Sequence, residues 1–544
     1  MSHYGKATEQ QSAFDSLPVL PSGWCWTRVD AVGEVKLGRQ RSPKDHRGTH
    51  MRPYLRVANV FENRIDLTNV MEMNFTPSEF DIFQLKYGDV LLNEGQSLEL
   101  VGRPAMFRDD LPDVCFQNTL VRFRPFDCVL SSFALNVFRY YHHNQRFQRI
   151  AKWTTNIAHL GAGRFSEVEF PVPPINEQKR IVAKIDELFS DLDVGVAALK
   201  RAKANLKRYR AAVLKAAVEG KLTEEWRAKH PKTEPASKLL ARILTERRKK
   251  WEADQLAKSA SVDKEPPKNW RDKYVEPTPL DSTGLPELPE SWCWARVQQV
   301  GSVQLGRQRA PQHHNGPNMR PYLRVANVFE DRIDISDVME MNFTPNEFET
   351  YRLSFGDILL NEGQSMELIG RPAMYRDEVP GACFTNTLVR FRPLDGVDAN
   401  FALKVFLAYL KNGRFQKIAT ITVNIAHLGA GRFSEIEFPV PPINEQAEII
   451  TEVDRHFTLI DAAERAITTS LLRAARLRQS ILKQAFEGKL VPQDPHDEPA
   501  SVLLGRLHAS RSAHEENGKA EDPACTRGSQ NKWKGGPTNE RRCP

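Results

Sequence analysis

The chain has 544 residues, carries 76 Lys and Arg against 69 Asp and Glu for a formal net charge of +7, and is 40% hydrophobic. That length calls for three or four compact units, that composition excludes wholesale disorder, and the mild basicity permits a nucleic-acid partner without requiring one. No apolar run reaches the ~18–20 residues of a membrane helix, the polar start Met1–Gln11 is no secretory signal, and seven cysteines without a Cys-x-x-Cys pair argue for a reducing, cytoplasmic setting.

Residues 1–16 read as a polar arm. From 17 to 175 the patterning is mixed: Tyr54-Leu-Arg-Val and Thr119-Leu-Val-Arg-Phe-Arg are rich in β-branched and aromatic residues and predict short strands. Gly88-Asp89 predicts a turn entering a strand at Val90, and the spacing of Phe133, Val137, Tyr141 and Phe147 predicts a helix over 133–150. This is an α+β globular unit. Pro171-Val-Pro-Pro ends it, and the next segment, 176–222, predicts one long helix. Ile185, Leu192, Leu199, Leu206 and Val213 recur every seven residues, with Leu188, Ala202, Tyr209 and Ala216 completing a coiled-coil seam. Such a helix would run about 60 Å and has little globular core to lie on. Glu219-Gly-Lys-Leu222 closes it with a C-terminal glycine. The linker 223–284 holds a basic amphipathic stretch, 236–251, then a Pro- and Lys-rich segment.

The pattern then returns. Leu20–Trp26 recurs at Leu288–Trp294, Met51–Val60 unchanged at Met319–Val328, Leu91–Ser97 at Leu359–Ser365 and Asn156–Phe165 at Asn424–Phe433, each offset by 268. Between Met51–Pro125 and Met319–Pro393 about three quarters of positions are identical. One large module is therefore used twice, globular over 17–175 and 285–443, with a second spacer helix over 444–490. There Val453, Ile460, Ile467, Ala474 and Ile481 repeat the seam, though His456 stands where the first helix has Leu188. Two long helices of this kind are natural antiparallel partners, which would relate the modules by a pseudo-twofold axis. Residues 491–544 form a terminal segment, read as a disordered tail from about Ser510.

Together these features resemble the DNA-specificity subunit of type I restriction–modification enzymes. The carrying residues are Pro171-x-Pro-Pro-x-x-Glu177-Gln-x-x-Ile-Val-x-x-Ile-Asp186-x-Leu-Phe189 and its copy Pro439–Phe457, Leu-Pro-x-x-Trp-x-Trp at each module start, Tyr-Leu-Arg-x-x-Asn, Gly-Asp-x-Leu and the terminal Gly-Lys-Leu. The order, spacing and duplication over about residues 17–505 make the resemblance specific. It implies that each globular module is a target recognition domain reading half of a bipartite DNA site. The helices would set the gap and dock two methyltransferase subunits. It also implies that S-adenosylmethionine, ATP and magnesium are used by those subunits and by motor–nuclease subunits, with no cofactor bound by this chain.

The residues agree with a chain that lacks its own reaction chemistry. Gly220-Lys221 and Gly488-Lys489 precede leucine, where a phosphate-binding loop needs Ser or Thr. No catalytic set and no metal-ligand spacing is legible. Base reading calls for Arg, Asn, Gln or Ser at groove edges. The candidates are Arg39, Gln40 and Arg41 with Arg307, Gln308 and Arg309; Asn93, Gln96 and Ser97 with Asn361, Gln364 and Ser365; and Asn156 and Arg164 with Asn424 and Arg432. For the first pair of loops the alternative is a solvated charge cluster; for the second a hairpin turn; for the third a plain glycine turn. Lys200–Lys215, with seven basic residues and no acidic one, would neutralise phosphates or simply form a solvated face. Arg52, Arg56, Arg103, Arg320, Arg324 and Arg371 read as phosphate contacts or surface charge. Trp24, Trp26, Trp292 and Trp294 read as core anchors. Two other classes stay open at this stage: a self-contained DNA-modifying enzyme, and a coiled-coil scaffold whose modules bind protein.

Overall fold

The computed structural model describes residues 17–109, 111–154, 156–260, 266, 268–422 and 425–520. The chain divides into two units, Met1–Ala197 with Leu471–Pro544, and Ala198–Ser470. Both are α+β and are built alike.

In the first unit, a four-stranded antiparallel sheet runs in the order Gly33–Leu37, Leu120–Pro125, Val90–Asn93, Pro104–Met106. Its strands alternate so that Val90, Leu92, Val121 and Phe123 enter a core with helix Ser131–His143. Phe123, Phe133, Phe138, Phe147, Phe165 and Phe170 fill that core through edge-on and tilted ring contacts. The opposite face of the sheet presents Leu91, Ala105 and Leu120 to a smaller core with Leu55, Val60 and Phe116. The turn at Gly88-Asp89 forms as expected. Gly88 has φ +90°, and Asp89 accepts from the backbone N–H of Lys86 and pairs with the Arg124 guanidinium at 2.6 and 2.7 Å. The helix expected over 133–150 is broken. Gln145 adopts φ +63° and separates Ser131–His143 from Arg146–Ile150, which lets Phe147 turn into the core.

A long helix, Ile175–Val218, leaves this module. The Glu-Gln pair of the proline motif explains its firm attachment. Glu177 accepts from the Trp24 indole at 2.9 Å. Gln178 accepts from Leu130 N and donates to the carbonyls of Cys128 and Pro173 at 2.9, 3.0 and 3.1 Å. Trp24 and, through the same bond to Glu445, Trp292 are therefore anchors, as their sequence context suggested. Within the first unit, Ile181, Ile185 and Phe189 share a core with Ile481, Leu482, Ala485 and Phe486 of the second long helix, Ile443–Phe486, and Asp193 pairs with Arg478. The two helices run antiparallel there.

The second unit repeats these elements at the 268 offset: sheet Gly301–Leu305, Leu388–Pro393, Ile358–Asn361, Pro372–Met374, helix Ala399–Lys411, and Gln446 bonded as Gln178 is. Here too the long helices pair antiparallel. Val213, Leu214 and Ala217 share a core with Ile449 and Val453, Arg210 pairs with Asp461, and Tyr209 bonds His456 at 3.0 Å. Ile460 and Ile467 are buried as seam residues should be.

One part of the repeat escapes the 268 offset. Glu234-Pro-Ala-Ser-x-Leu-Leu-x-Arg matches Glu498-Pro-Ala-Ser-x-Leu-Leu-x-Arg at an offset of 264. Each copy opens a helix, Ala236–Ala260 and Ala500–Ala520. The first buries Leu239 and Ile243 on the second module; the second buries Ala500 and Leu504 on the first. Ala236 N donates to Ser291 O and Ala500 N to Gly23 O, both at 2.9 Å. The helix Ala500–Ala520 thus runs into the segment read as a tail from Ser510; residues 521–544 and the arm 1–16 lie outside the described residues. Among the described residues, no helix is long and apolar enough to cross a membrane.

Candidate nucleic-acid interface

Four sequence-distant polar segments are stitched side by side by main-chain hydrogen bonds. In the first module, Asn118 N donates to Arg39 O at 3.0 Å, Glu94 N to Thr119 O at 2.8 Å, and Leu160 N to Glu94 O at 2.8 Å. The segment after Asn93 is not a hairpin turn: Gly95–Gln96 pairs as a strand with Ile157–His159, which pairs in turn with Lys152–Thr154. The strip therefore runs Arg39–Arg41, Gln117–Thr119, Glu94–Ser97, Ile157–Arg164. The second module repeats each link, Asn386 N to Arg307 O, Glu362 N to Thr387 O and Leu428 N to Glu362 O, at 3.0, 2.9 and 2.8 Å.

Within this strip the candidate side chains have different roles. Arg39 is corrected from a base reader to a structural residue. Its Nε donates to Glu79 Oε1 at 2.8 Å, Nη1 lies 3.2 Å from Asp45, the guanidinium sits 5.2 Å above the Phe75 ring, and the side chain is 12% exposed. Burial opposes the charge, but Glu79 and Asp45 hold the Arg39 pKa above its ordinary value. Burial would likewise raise Glu79, yet Arg39 and Thr76 hold it below the usual carboxylate range. Arg307 is committed in the same way, to Glu347 at 2.8 Å, Asn342 O at 2.9 Å and His313 at 3.1 Å, above Phe343. Asn93 and Asn361 are corrected too. Both are fully buried and bridge their own loop, through main-chain bonds to Gly102 N and Gly370 N and side-chain bonds to the Leu100 and Leu368 carbonyls.

Gln40, Arg41, Ser97, Asn156 and Arg164, with Gln308, Arg309, Ser365 and Arg432, are exposed on the strip, and Gln96 and Gln364 are half-buried. Arg41 donates to His46 at 3.1 Å, and Gln96 and Gln364 accept from Ser97 N and Ser365 N. Asn156 is held at φ +113°; Asn424 lies outside the described residues. Arg164 and Arg432 donate to the carbonyls of His159 and His427 at 2.7 and 2.8 Å. Arg432 also reaches Ile418 O and Thr420, so it fastens the hairpin base. The glycine before each arginine has a plain cause. Gly161 and Gly429 have φ +72° and +74°, and a Cβ on either would stand 2.6 Å from that guanidinium.

Beyond the strip, Arg103 is spent on Val60 O, and Arg52 pairs with Asp113 over the Phe80 ring. On the long helix Lys200, Arg201, Lys203, Lys207 and Arg208 are exposed, while Arg210 is paired.

The sequence shows Gln117 and Thr385 as a divergent pair, but only the fold places the segment Gln117–Thr119 beside Arg39. Sequence reasoning missed the hairpin strand Lys152–Thr154 and its counterpart Thr420–Thr422, whose outward residues Trp153 and Ile421 are 54% and 65% exposed. The run Lys-Trp-Thr-Thr is rich in strand formers and could have shown it. The resulting surface offers amides, hydroxyls, cations and exposed apolar side chains on a rigid backbone. Those are the groups that hydrogen-bond base edges, touch thymine methyls and meet phosphates.

The family described as "Type I restriction modification DNA specificity domain" matches residues 21–197 and 289–473, well over half of the chain and both modules. The specificity subunit of the type I restriction enzyme EcoKI from Escherichia coli K12 is 24% identical over 514 residues, 91% of this chain and 97% of that protein. The StySPI specificity subunit from Salmonella potsdam is also 24% identical over 514 residues, covering 91% and 96%. A solved structure described under the assembly and conformational transition of a type I R-M system superimposes with a TM-score of 0.58 at 17% identity, over 87% of this chain and all of that one, which shows a shared fold. With two matched modules, two long helices and the full-length relatives in agreement, this chain belongs to the type I restriction–modification DNA specificity family.

Proposed function

We propose that the chain is the non-catalytic subunit that selects the DNA sequence in a type I restriction–modification complex, in the cytoplasm. In this reading each module reads one half of a bipartite site on double-stranded DNA. Two methyltransferase subunits supply adenine methylation with S-adenosylmethionine, and motor–nuclease subunits supply ATP- and magnesium-dependent cleavage. The chain itself binds no cofactor. The observation that carries the reading is the duplicated strip, with the same loops joined by the same main-chain bonds in both modules. Sequence selection at two related half-sites gives both copies a use. The absence of a phosphate-binding loop and of an Asp/Asn-Pro-Pro-Tyr/Phe segment in the 544 residues supports placing the chemistry in partner chains.

The near identity of the strips bears on the site itself. If the antiparallel helices relate the modules by a twofold axis, identical readers meet opposite strands of B-DNA alike. The target is then a nearly perfect inverted repeat, with one methylated adenine in each half. Mapping methyladenine in a strain carrying the system tests this. Half-sites unrelated by inversion would refute the shared-reader reading, and methyl transfer by the purified chain alone would refute the division of labour.

A further inference from the structure

Beside the committed arginines, each strip carries a carboxylate and an imidazole that none of these roles absorbs. His159 Nδ1 lies 3.1 Å from Glu94 Oε2, and His427 Nδ1 lies 3.2 Å from Glu362 Oε2. The glutamates are 15% exposed and the histidines 37% and 36%. Each glutamate is pinned through its own backbone, donating to Thr119 O or Thr387 O and accepting from Leu160 N or Leu428 N. Each ring lies against a glycine. A Cβ at position 95 would stand 3.3 Å from the His159 Cε1 and 3.4 Å from its Nδ1, and at 363 it would stand 3.6 Å from both atoms of His427. Glu, Gly and His thus form one unit, repeated in both modules.

A carboxylate only accepts, so the bond to Glu94 places a proton on Nδ1 and fixes the ring plane. Nε2 is then the free edge of the ring. Among the described residues it has no protein partner, and the ring is the more exposed member of the pair. The neighbours reinforce the setting. The cross-strand partner of His159 is Lys152, and Arg164 donates to the His159 carbonyl.

We propose that the Glu94–His159 and Glu362–His427 pairs are oriented DNA contacts, in which the glutamate positions the ring and Nε2 meets a hydrogen-bonding group of the duplex. This rests on reading the strip as the DNA surface. Glu94 and Glu362 are positioning residues; His159 and His427 touch the DNA.

The test uses the full chain assembled with its methyltransferase subunits and a duplex carrying the mapped site. His159→Asn keeps a donor near the Nδ1 position for Glu94 but has nothing at Nε2. His159→Gln extends an amide to the Nε2 position. The expected result is a loss of about tenfold in affinity for His159→Asn, the scale of one good hydrogen bond. His159→Gln should recover a large part of it, with melting temperatures unchanged, and His427 should behave likewise. A loss equal on all sequences, with a shallower salt dependence, identifies a phosphate as the partner. A loss confined to the native site, with one mismatch newly tolerated, identifies a base edge. Unaltered binding by both Asn variants overturns the proposal alone. Equal loss in Asn and Gln variants with lowered melting temperatures makes the ring structural and overturns it as well. Failure of the unaltered complex to select any sequence would instead bring down the broader reading, and this one with it.

Discussion

Replacing Arg39 with alanine should damage the fold of the first module before it damages base selection. The substitution strips the guanidinium from between Asp45, which is buried, and Glu79, which is about one third exposed, and leaves Phe75 uncovered. Removing one partner of a buried pair costs about 3–5 kcal/mol. Glu79 is part solvated and keeps its cap bond to Thr76 N at 2.9 Å, so the expected cost is about 2–4 kcal/mol. The second module supplies an internal control. At the place of Asp45 it has His313, so Arg307→Ala strands one carboxylate rather than two, and about 1–3 kcal/mol is expected. Hydrogen exchange read by mass spectrometry over 38–50 and 76–83, and over 306–318 and 344–351, separates the two modules in the intact chain. Arg39→Ala should accelerate exchange in its own module more than Arg307→Ala does, and the loss of DNA affinity should be uniform over sequences. Unchanged exchange together with relaxed discrimination at one base pair would refute the structural role and restore Arg39 as a reader.

Gln178→Ala should destabilise the first unit by about 2–4 kcal/mol, because Leu130 N and Cys128 O lose their partner in the buried helix junction; a denaturation midpoint unmoved relative to the wild type would count against the anchor. Burial pushes the thiols of Cys115 and Cys383 up to about 12 and those of Cys25, Cys128 and Cys293 up to about 11. At neutral pH a disulfide reagent should therefore modify none of these five quickly until denaturant exposes them. Inserting four residues after Leu199 lengthens the helix by about 6 Å. Binding at the native spacer should weaken or shift to a longer one, and unchanged affinity would show that the helix sets no gap.

How much was legible follows from which interactions are local. The strands at 90–93 and 120–125 and the turn at Gly88-Asp89 rest on short-range patterning, and all are found; of the heptad seam, Ile185, Val213, Val453, Ile460, Ile467 and Ile481 are buried, while Ala202 and Tyr209 are exposed. The break at Gln145 was invisible because a left-handed glutamine leaves the spacing of Val137, Tyr141 and Phe147 helix-like. The strip was legible in its parts and not in its assembly. Each loop was marked as polar, but only the long-range pairing of Gly95–Gln96 with Ile157–His159 brings them together. That same folding takes two of the marked types away from the surface. Arg39 looked free because its acids stand six and forty residues away, and Asn93 looked like a loop residue because its burial depends on the neighbouring strands. The helix 500–520 was missed because its counterpart lies inside the linker, at an offset of 264 rather than 268.

The differences between the modules bear on what the two halves share. Gln117 is replaced by Thr385, which is buried and bonded toward Leu323 O, so that position offers the second module no exposed group for a base. Beyond Leu98 against Met366, exposed changes on or beside the strip lie in 44–50 against 312–318 and in 152–154 against 420–422. There Lys44, Arg47 and Lys152 give way to Gln312, Asn315 and Thr420, all exposed. These substitutions remove cations while leaving Gln40, Ser97, His159 and their copies in place. On the proposed reading, cations at phosphate distance add affinity and salt dependence without sequence content, and selection falls to the polar groups that both strips share. The two half-sites should then be read alike but held unequally. Converting Lys44, Arg47 and Lys152 to the residues of the second module should lower affinity uniformly over sequences and reduce the salt slope by up to about three, one per lost phosphate contact. The mapped site should stay the same. A change in the first half-site on making that triple exchange would place sequence selection in those loops and overturn the division between shared readers and divergent grip.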